Sequence, residues 1–532
     1  MSRASRIISG VGIGYASQLL AMIVGLWLTP FLLFSVGQHD YGLWVLGTQI
    51  IIYLGLLDIG VVAVLPRETA HVTGRAAARG ESPTTELPML IGQTARVVLW
   101  QWPLVAAAAA AAWVLLPSGW EGLRHPLSVV LAVFVLMFPL RIFPAVLQGL
   151  QDIAFLGKLN MSLYLASTAV TVALVAAGFG LYALAVGWAM LQLLAASACW
   201  LRLRRRFPGV LPGKLPPPDR AAARGRLRSG GWMSINQIVT LLITGTDIVI
   251  IGALFGPAAV VPFVCTGKLI GVMANQPMLL LQLSVPALSQ MREGESRERI
   301  RQAAIALGQA VLLASGAVVC VVLAVNQGFV TRWTGTEQYG GFILTALTAA
   351  GMLLRHWYLT LGVTAYCFGH ERRLALTALA DALVSVAAMS LLIWRFGLVG
   401  APLGAIMGVC LVSIPATMRV LSREMGTSVW GLARPFLPWF VRFGLVAFAA
   451  SAWGRARAPR TVWEIGLMAV AVGLAYALLM SPLLRREPLG LYVRPRLRSL
   501  WAKLARVRRP RATALSRRHE DEGGRGEDVG AA

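Results

Sequence analysis

Apolar stretches close to 20 residues long, separated by short polar breaks, recur about fourteen times along the chain. A helix rises 1.5 Å per residue, so each stretch spans the roughly 30 Å of hydrocarbon in a bilayer. The pattern predicts spans at 7–34, 41–64, 89–116, 127–149, 158–178 and 181–201. It continues with 232–255, 258–288, 302–326, 341–367, 374–396, 398–420, 435–453 and 463–483. The segment 202–231, rich in Arg and in proline (Pro208, Pro212, Pro216, Pro217, Pro218), cannot enter lipid and reads as a basic linker. The tail beyond Arg485 is basic, then acidic and Gly-rich from Glu520. Its stretch around Leu500, Trp501 and Leu504 reads either as an interfacial helix on an anionic leaflet or as a disordered tail.

The polar breaks repeat at a shift of about 220 residues. Ser9-Gly10 matches Ser229-Gly230, Gln18 matches Gln237, the break ending at Gly37 matches Leu254-Phe255-Gly256, and Gly47 matches Gly267. Each unit holds six spans, so both copies have the same orientation in the membrane, with a site between them. The expected organisation is an all-α integral membrane protein: an N-terminal lobe 1–201, a basic cytoplasmic linker 202–231 and a C-terminal lobe 232–421. Two added helices follow in 422–484, then a cytoplasmic tail 485–532.

Composition agrees: 57% of residues are hydrophobic, only 13% are charged, and the mean hydropathy is +0.69. No soluble domain hides that much apolar surface. The net charge of +25 alone would suit a nucleic-acid binder, but Lys and Arg concentrate in alternate loops, which is the positive-inside pattern. It places both termini in the cytoplasm and argues against a nucleic-acid partner. The first stretch is too long for a signal peptide and reads as a retained span. Cys199, Cys265, Cys320, Cys367 and Cys410 lie in or beside spans without CxxC pairing, and read as small buried hydrophobes.

Candidate chemistry is sparse. Gly157-Lys158, Gly213-Lys214 and Gly267-Lys268 are each followed by Leu, so none is a phosphate loop of the Walker A type. Neither HExxH nor Asp-x-Asp occurs; an enzyme is not expected, nor any cofactor beyond an H⁺ or Na⁺ coupling ion. The informative groups are charges inside spans, each costing on the order of 3 kcal/mol at the bilayer centre. Lys268 and Arg355 fall near mid-depth, Arg141 a little inside it and Arg96 about two turns from the cytoplasmic side. Asp247 is near mid-depth, with Asp58 and Asp381 nearer the cytoplasm. For each, an interhelical ion pair is the alternative to a wet cavity. Cations outnumber acids at depth, so a shared cavity would be net positive and suit phosphate or diphosphate. Gln18, Gln49, Gln93, Gln101, Asn236 and Gln237 either line that space for sugar hydroxyls or hold helices together.

Several segments carry a resemblance. Asp40-Tyr41-Gly42-Leu43-Trp44, the run from Tyr53 to Gly60, and Arg67 resemble the second-helix region of bacterial polysaccharide-biosynthesis membrane proteins, the O-antigen type (Wzx-like) oligosaccharide flippases. So do Asp247 to Gly252, Lys268-Leu269, Pro286-Ala287-Leu288-Ser289, Trp333-Thr334-Gly335 and Gly397 to Ala401, the likeness extending over about residues 5–420.

The resemblance implies the MATE-like fold of the multidrug/oligosaccharidyl-lipid/polysaccharide exporter superfamily, in a bacterial inner membrane. Its members move undecaprenyl-diphosphate-linked sugars between leaflets. It implies diphosphate contact by Lys268, and gating or helix capping by Asp58 and Arg67. The combined expectation is a flippase whose substrate-binding set is Lys268, Arg355, Arg141, Arg96, Gln18 and Gln237, with Asp58, Asp247 and Arg67 in coupling or gating. Its partners would be a lipid-linked oligosaccharide, membrane lipids and polysaccharide polymerase or assembly proteins. A multidrug/cation antiporter and a lipid II flippase of the same fold are the alternatives. A membrane-embedded glycosyl transferase and a non-transporting scaffold are the readings from other classes.

Overall fold

A computed structural model describes residues 3–79, 86–217 and 220–494; the stretch around Trp501 lies outside them. The first half contains α1 (Arg3–Val36), α2 (Gln38–Gly55), α3 (Val61–Arg79), α4 (Glu86–Val114), α5 (Glu121–Met137), α6 (Ile142–Gly149), α7 (Ile153–Ala176) and α8 (Leu181–Arg206). The second contains α9 (Arg220–Thr244), α10 (Thr246–Phe255), α11 (Pro257–Gly294), α12 (Arg297–Thr334), α13 (Phe342–Cys367), α14 (Glu371–Phe396), α15 (Gly400–Gly408) and α16 (Ile414–Glu424). Then come α17 (Val429–Ala433), α18 (Leu437–Ala456) and α19 (Val462–Leu484). Among the described residues thirteen segments are long and apolar enough to cross a bilayer. One of them, Glu371–Glu424, turns back at Gly397 and supplies two passes, matching the fourteen apolar stretches.

That reversal is tight because the returning helix carries glycine every fourth residue. A Cβ at Gly400 would meet the backbone of Leu392, one at Gly404 the backbone of Met389, and one at Gly408 Ser385 and Asp381. Without a hydrophobic drive between helices in lipid, such close approach supplies the dispersion contact that holds them. Large apolar side chains elsewhere, Trp394, Leu411, Phe448 and Leu478 among them, point outward, as a lipid-facing surface requires.

The turns repeat as the sequence does. Gly37 has φ 86, ψ 164 and Gly256 has φ 84, ψ 169, a region closed to side-chain-bearing residues. Gln151-Asp152 and Gly369-His370 form equivalent turns, and Gly180 and Gly397 another pair, at a spacing of about 218 residues. Even the ties behind them correspond. Arg202 at the end of α8 donates to Asp152 at 2.8 Å, and His370 lies 2.7 Å from Glu424 at the end of α16. The acid stands at the start of the first helix in one copy, Asp152, and at the end of the last in the other, Glu424.

The C-terminal pair α18–α19 packs on α12. Trp439 Nε1 donates to the Tyr476 hydroxyl at 3.0 Å, which donates in turn to the Leu313 carbonyl at 2.9 Å beside Gly316.

A Gly404→Leu substitution is expected to cost about 2 kcal/mol or more, because backbone cannot yield as a side chain does. Thermal unfolding of the detergent-solubilised protein should show the loss as a clear drop in Tm.

Candidate functional site

Two neighbouring cavities meet at the break between α9 and α10, and Thr244 lines both. The first, of about 600 Å³, is walled by Gly55 at the end of α2 and Leu56 after it, Arg141, Trp188 and Gln192 of α8, and Gln237 and Thr240 of α9. The second, of about 520 Å³, is walled by Gln18 of α1, Asp247 of α10, Lys268 and Asn275 of α11 and Thr348 of α13. Both therefore lie between the two sequence repeats, and the repeat-related pair Gln18 and Gln237 contributes one amide to each.

Lys268 stands on a low wall. Gly267 and Gly271 beside it leave open space where side chains would stand. Among the described residues no ion pair or hydrogen bond reaches its ammonium. A half-buried ammonium without a partner donates strongly to an anion, because its partly desolvated charge is poorly screened.

Arg141 is arranged differently. It closes a 3₁₀ turn, Phe138–Arg141, between α5 and α6. Its guanidinium lies 3.6 Å from Asp58 Oδ2 and 5.7 Å from the centre of the Phe138 ring, while Nη1 has no partner among the described residues. The pair is lopsided: the Arg141 side chain is 39% exposed and that of Asp58 only 5%. The cavity thus meets the cation rather than the acid.

Asp58 is held by a break in the second helix. Its Oδ1 accepts from the Gly60 amide at 2.5 Å, and Gln101 donates to its backbone carbonyl at 3.0 Å. Ile59 between them takes φ 48, ψ 37, a left-handed conformation that costs a β-branched residue about 1–2 kcal/mol.

On the side of Gly37 and Gly256 the cavities are sealed along α2. Gln38 Nε2 donates to the Ala258 carbonyl at 2.8 Å and accepts at Oε1 from Gln338 at 3.0 Å. Gly42 leaves room for the Pro257 carbonyl, and Gly252 for Leu46. The Tyr53 hydroxyl meets Thr246 Oγ1 at 2.7 Å, and Trp333 Nε1 donates to the Leu26 carbonyl at 2.5 Å. Below Tyr53 the seam ends and the first cavity begins.

Of the residues picked from sequence, Lys268, Asp247 and Gln18 share one cavity, and Arg141 and Gln237 the other. Arg355 is a correction: it lines neither. Its Nη1 donates to Asp381 Oδ2 at 2.5 Å. Asp381 is fully buried and also accepts from Ser385 at 3.0 Å and from Ser413 at 2.6 Å, the latter delivered by a π-turn at Val409–Ser413. A carboxylate in so dry a place needs its counter-charge, and Arg355 supplies it. Arg96 is half-buried on α4 and Arg67 exposed on α3; neither lines either of these two cavities. With Arg355 withdrawn, the lining charges are Arg141, Lys268 and Asp247, fewer cations than expected. Gln49 packs on Gly245 and Gln101 serves Asp58, so both act as structural amides. Sequence reasoning missed Trp188, Gln192, Asn275 and Thr348. Trp188 and Gln192 stand four apart on α8, a spacing that alone would have marked one polar–aromatic face.

The lipid II flippase MurJ, in an inward closed conformation, superposes over 89% of this chain and 99% of its own, with a TM-score of 0.61 at 11% identity. This is the MATE-like fold. An outward-facing multidrug resistance MATE family transporter of the MOP superfamily covers 80% of this chain and 96% of its own, with a TM-score of 0.50 at 15% identity. Residues 104–336 of the MATE-like chain match the model of a polysaccharide biosynthesis protein family. The resemblance read from its motifs is thereby borne out. No curated protein matches the sequence.

The Arg355–Asp381 pair gives a sharp test of role. Arg355→Met alone should destabilise the protein by about 3–5 kcal/mol, by stranding a buried carboxylate, whereas Arg355→Met with Asp381→Leu should recover most of that loss. Chemical or thermal unfolding of the single and double variants measures both.

Proposed function

We propose that the protein flips a polyprenyl-diphosphate-linked oligosaccharide across a bacterial inner membrane, for surface polysaccharide assembly. The observation that carries this reading is the Lys268 ammonium, without an ion pair or hydrogen bond among the described residues, in a largely apolar cavity between the two repeats that also holds Gln18, Asn275, Thr244, Thr348 and one carboxylate, Asp247. A diphosphate leaving the headgroup layer loses hydration, and a fixed cation in a low-dielectric chamber replaces it. Gln18, Asn275, Gln192 and Gln237 offer donors and acceptors to sugar hydroxyls, and Trp188 offers a flat apolar face. The polyprenyl chain stays in lipid, where its transfer costs nothing. The family match over residues 104–336 and the fold of MurJ support the same class.

In this reading the structure is the state closed on the Gly37/Gly256 side, and the positive-inside pattern makes that side periplasmic. Rocking of one repeat against the other breaks the α2 seam and exposes the same cavities outward. Asp247, which lines the Lys268 chamber, is the proposed site for a coupling H⁺ or Na⁺; Asp58 is already engaged. A flipping rate indifferent to both gradients removes the coupling assignment. An antiporter for cationic drugs is disfavoured because two of the three lining charges are positive.

Lys268→Ala is expected to weaken binding of a polyprenyl-diphosphate saccharide about 10- to 100-fold, the worth of one charge-assisted hydrogen bond, with Lys268→Arg intermediate. Flipping of a fluorescent lipid-linked saccharide in proteoliposomes should fall with it. A folded Lys268→Ala protein working at the wild-type rate would reject the assignment.

A further inference from the structure

We propose that Asp58 and Arg141 form a latch through which an anion in the cavity loosens the far gate. The proposal rests on the reading of the cavity as an anion chamber. One helix, α2, carries both ends of the device. Its first turns hold the seal through Gln38 on Ala258 and Gly42 on Pro257. Its last residue, Gly55, and Leu56 after it line the first cavity and run directly into the Asp58-Ile59-Gly60 break.

The geometry of the pair suits release. At 3.6 Å the Arg141–Asp58 contact is long for a charged hydrogen bond, and of the two side chains it is Arg141 that is exposed toward the cavity. An anion entering from the exposed side competes with Asp58 for Arg141 without first displacing a well-made bond. Losing Arg141, the Asp58 side chain keeps only the Gly60 amide, with Gln101 still on its backbone carbonyl, and Ile59 is freer to leave the left-handed region. The stored backbone strain then favours continuing α2 into α3. That change rotates and lengthens the helix whose other end forms the seal. By linkage, whatever weakens the latch tightens anion binding by the same factor. Asp58 is here a positioning residue; Arg141 touches the ligand.

Two substitutions push in opposite directions. Asp58→Asn keeps the acceptor for Gly60 but removes the charge, so it should release the gate without ligand and bind anion several-fold more tightly. Ile59→Gly removes the cost of the left-handed residue, so it should hold the gate closed and bind anion more weakly. The readout is amide hydrogen exchange over residues 38–46 and 256–262 of the full chain in detergent, with and without farnesyl diphosphate, and with farnesol as the uncharged control. In the wild type, farnesyl diphosphate but not farnesol should speed exchange several-fold. Without ligand, Asp58→Asn should already exchange fast and Ile59→Gly slower than the wild type.

Asp58→Asn exchanging like the wild type overturns the latch. So do both variants shifting the same way, which is what mere loosening of the fold produces. A wild type that binds farnesyl diphosphate with no change at the seal also overturns it while sparing the substrate reading. A wild type that does not bind farnesyl diphosphate at all sinks the anion chamber, and the ligand-driven latch with it.

Discussion

A charge placed among helices in hydrocarbon has two stable fates: it is matched by an opposite charge, or it faces water. This constraint sorts Arg355, Lys268 and Arg141 and thereby defines the cavity. Arg355 and Asp381 neutralise each other in a dry seam braced by two serines. Lys268 has no such partner among the described residues and borders open space. Arg141 lies between the two, half committed to Asp58 and half turned to the chamber. The same desolvation that makes the first pair inert gives the other two their grip on an anion.

Architecture places those groups where motion can use them. The seam between repeats runs down α2 from Gln38 to Tyr53 and stops where the helix breaks. Above that point glycines let backbone and side chains of the two halves interlock; below it, Gly55 and Leu56 face empty volume. A helix that is seal at one end and chamber wall at the other couples the two by rigidity alone. The C-terminal pair α18–α19, clamped to α12 through Trp439 and Tyr476, stiffens the second repeat from outside.

Much of this was legible in the residues. Length and hydropathy set the passes, since lipid thickness is a ruler that tolerates few alternatives. Matching breaks located the repeat, and Gln18 and Gln237, picked as equivalent, each line a chamber. Depth counting found Lys268 and Arg141. It failed at Arg355 because depth says nothing about azimuth: only packing shows that Arg355 on α13 and Asp381 on α14 face each other. The break at Ile59 was hidden inside a smooth apolar run, where Asp58-Ile59-Gly60 reads as part of a span. Trp188 was hidden by its own hydrophobicity.

The reversed ties of the two repeats bear on how the chain assembles. Within each copy, the start of one helix is bound to the end of the next, Asp152 to Arg202 and His370 to Glu424. Were α7 to pair by mistake with α16, Asp152 would confront Glu424 in place of Arg202. Equivalent hairpins of the two repeats are thus told apart by which end carries the acid, and a pairing of α7 with α16 meets repulsion where the native partner meets attraction.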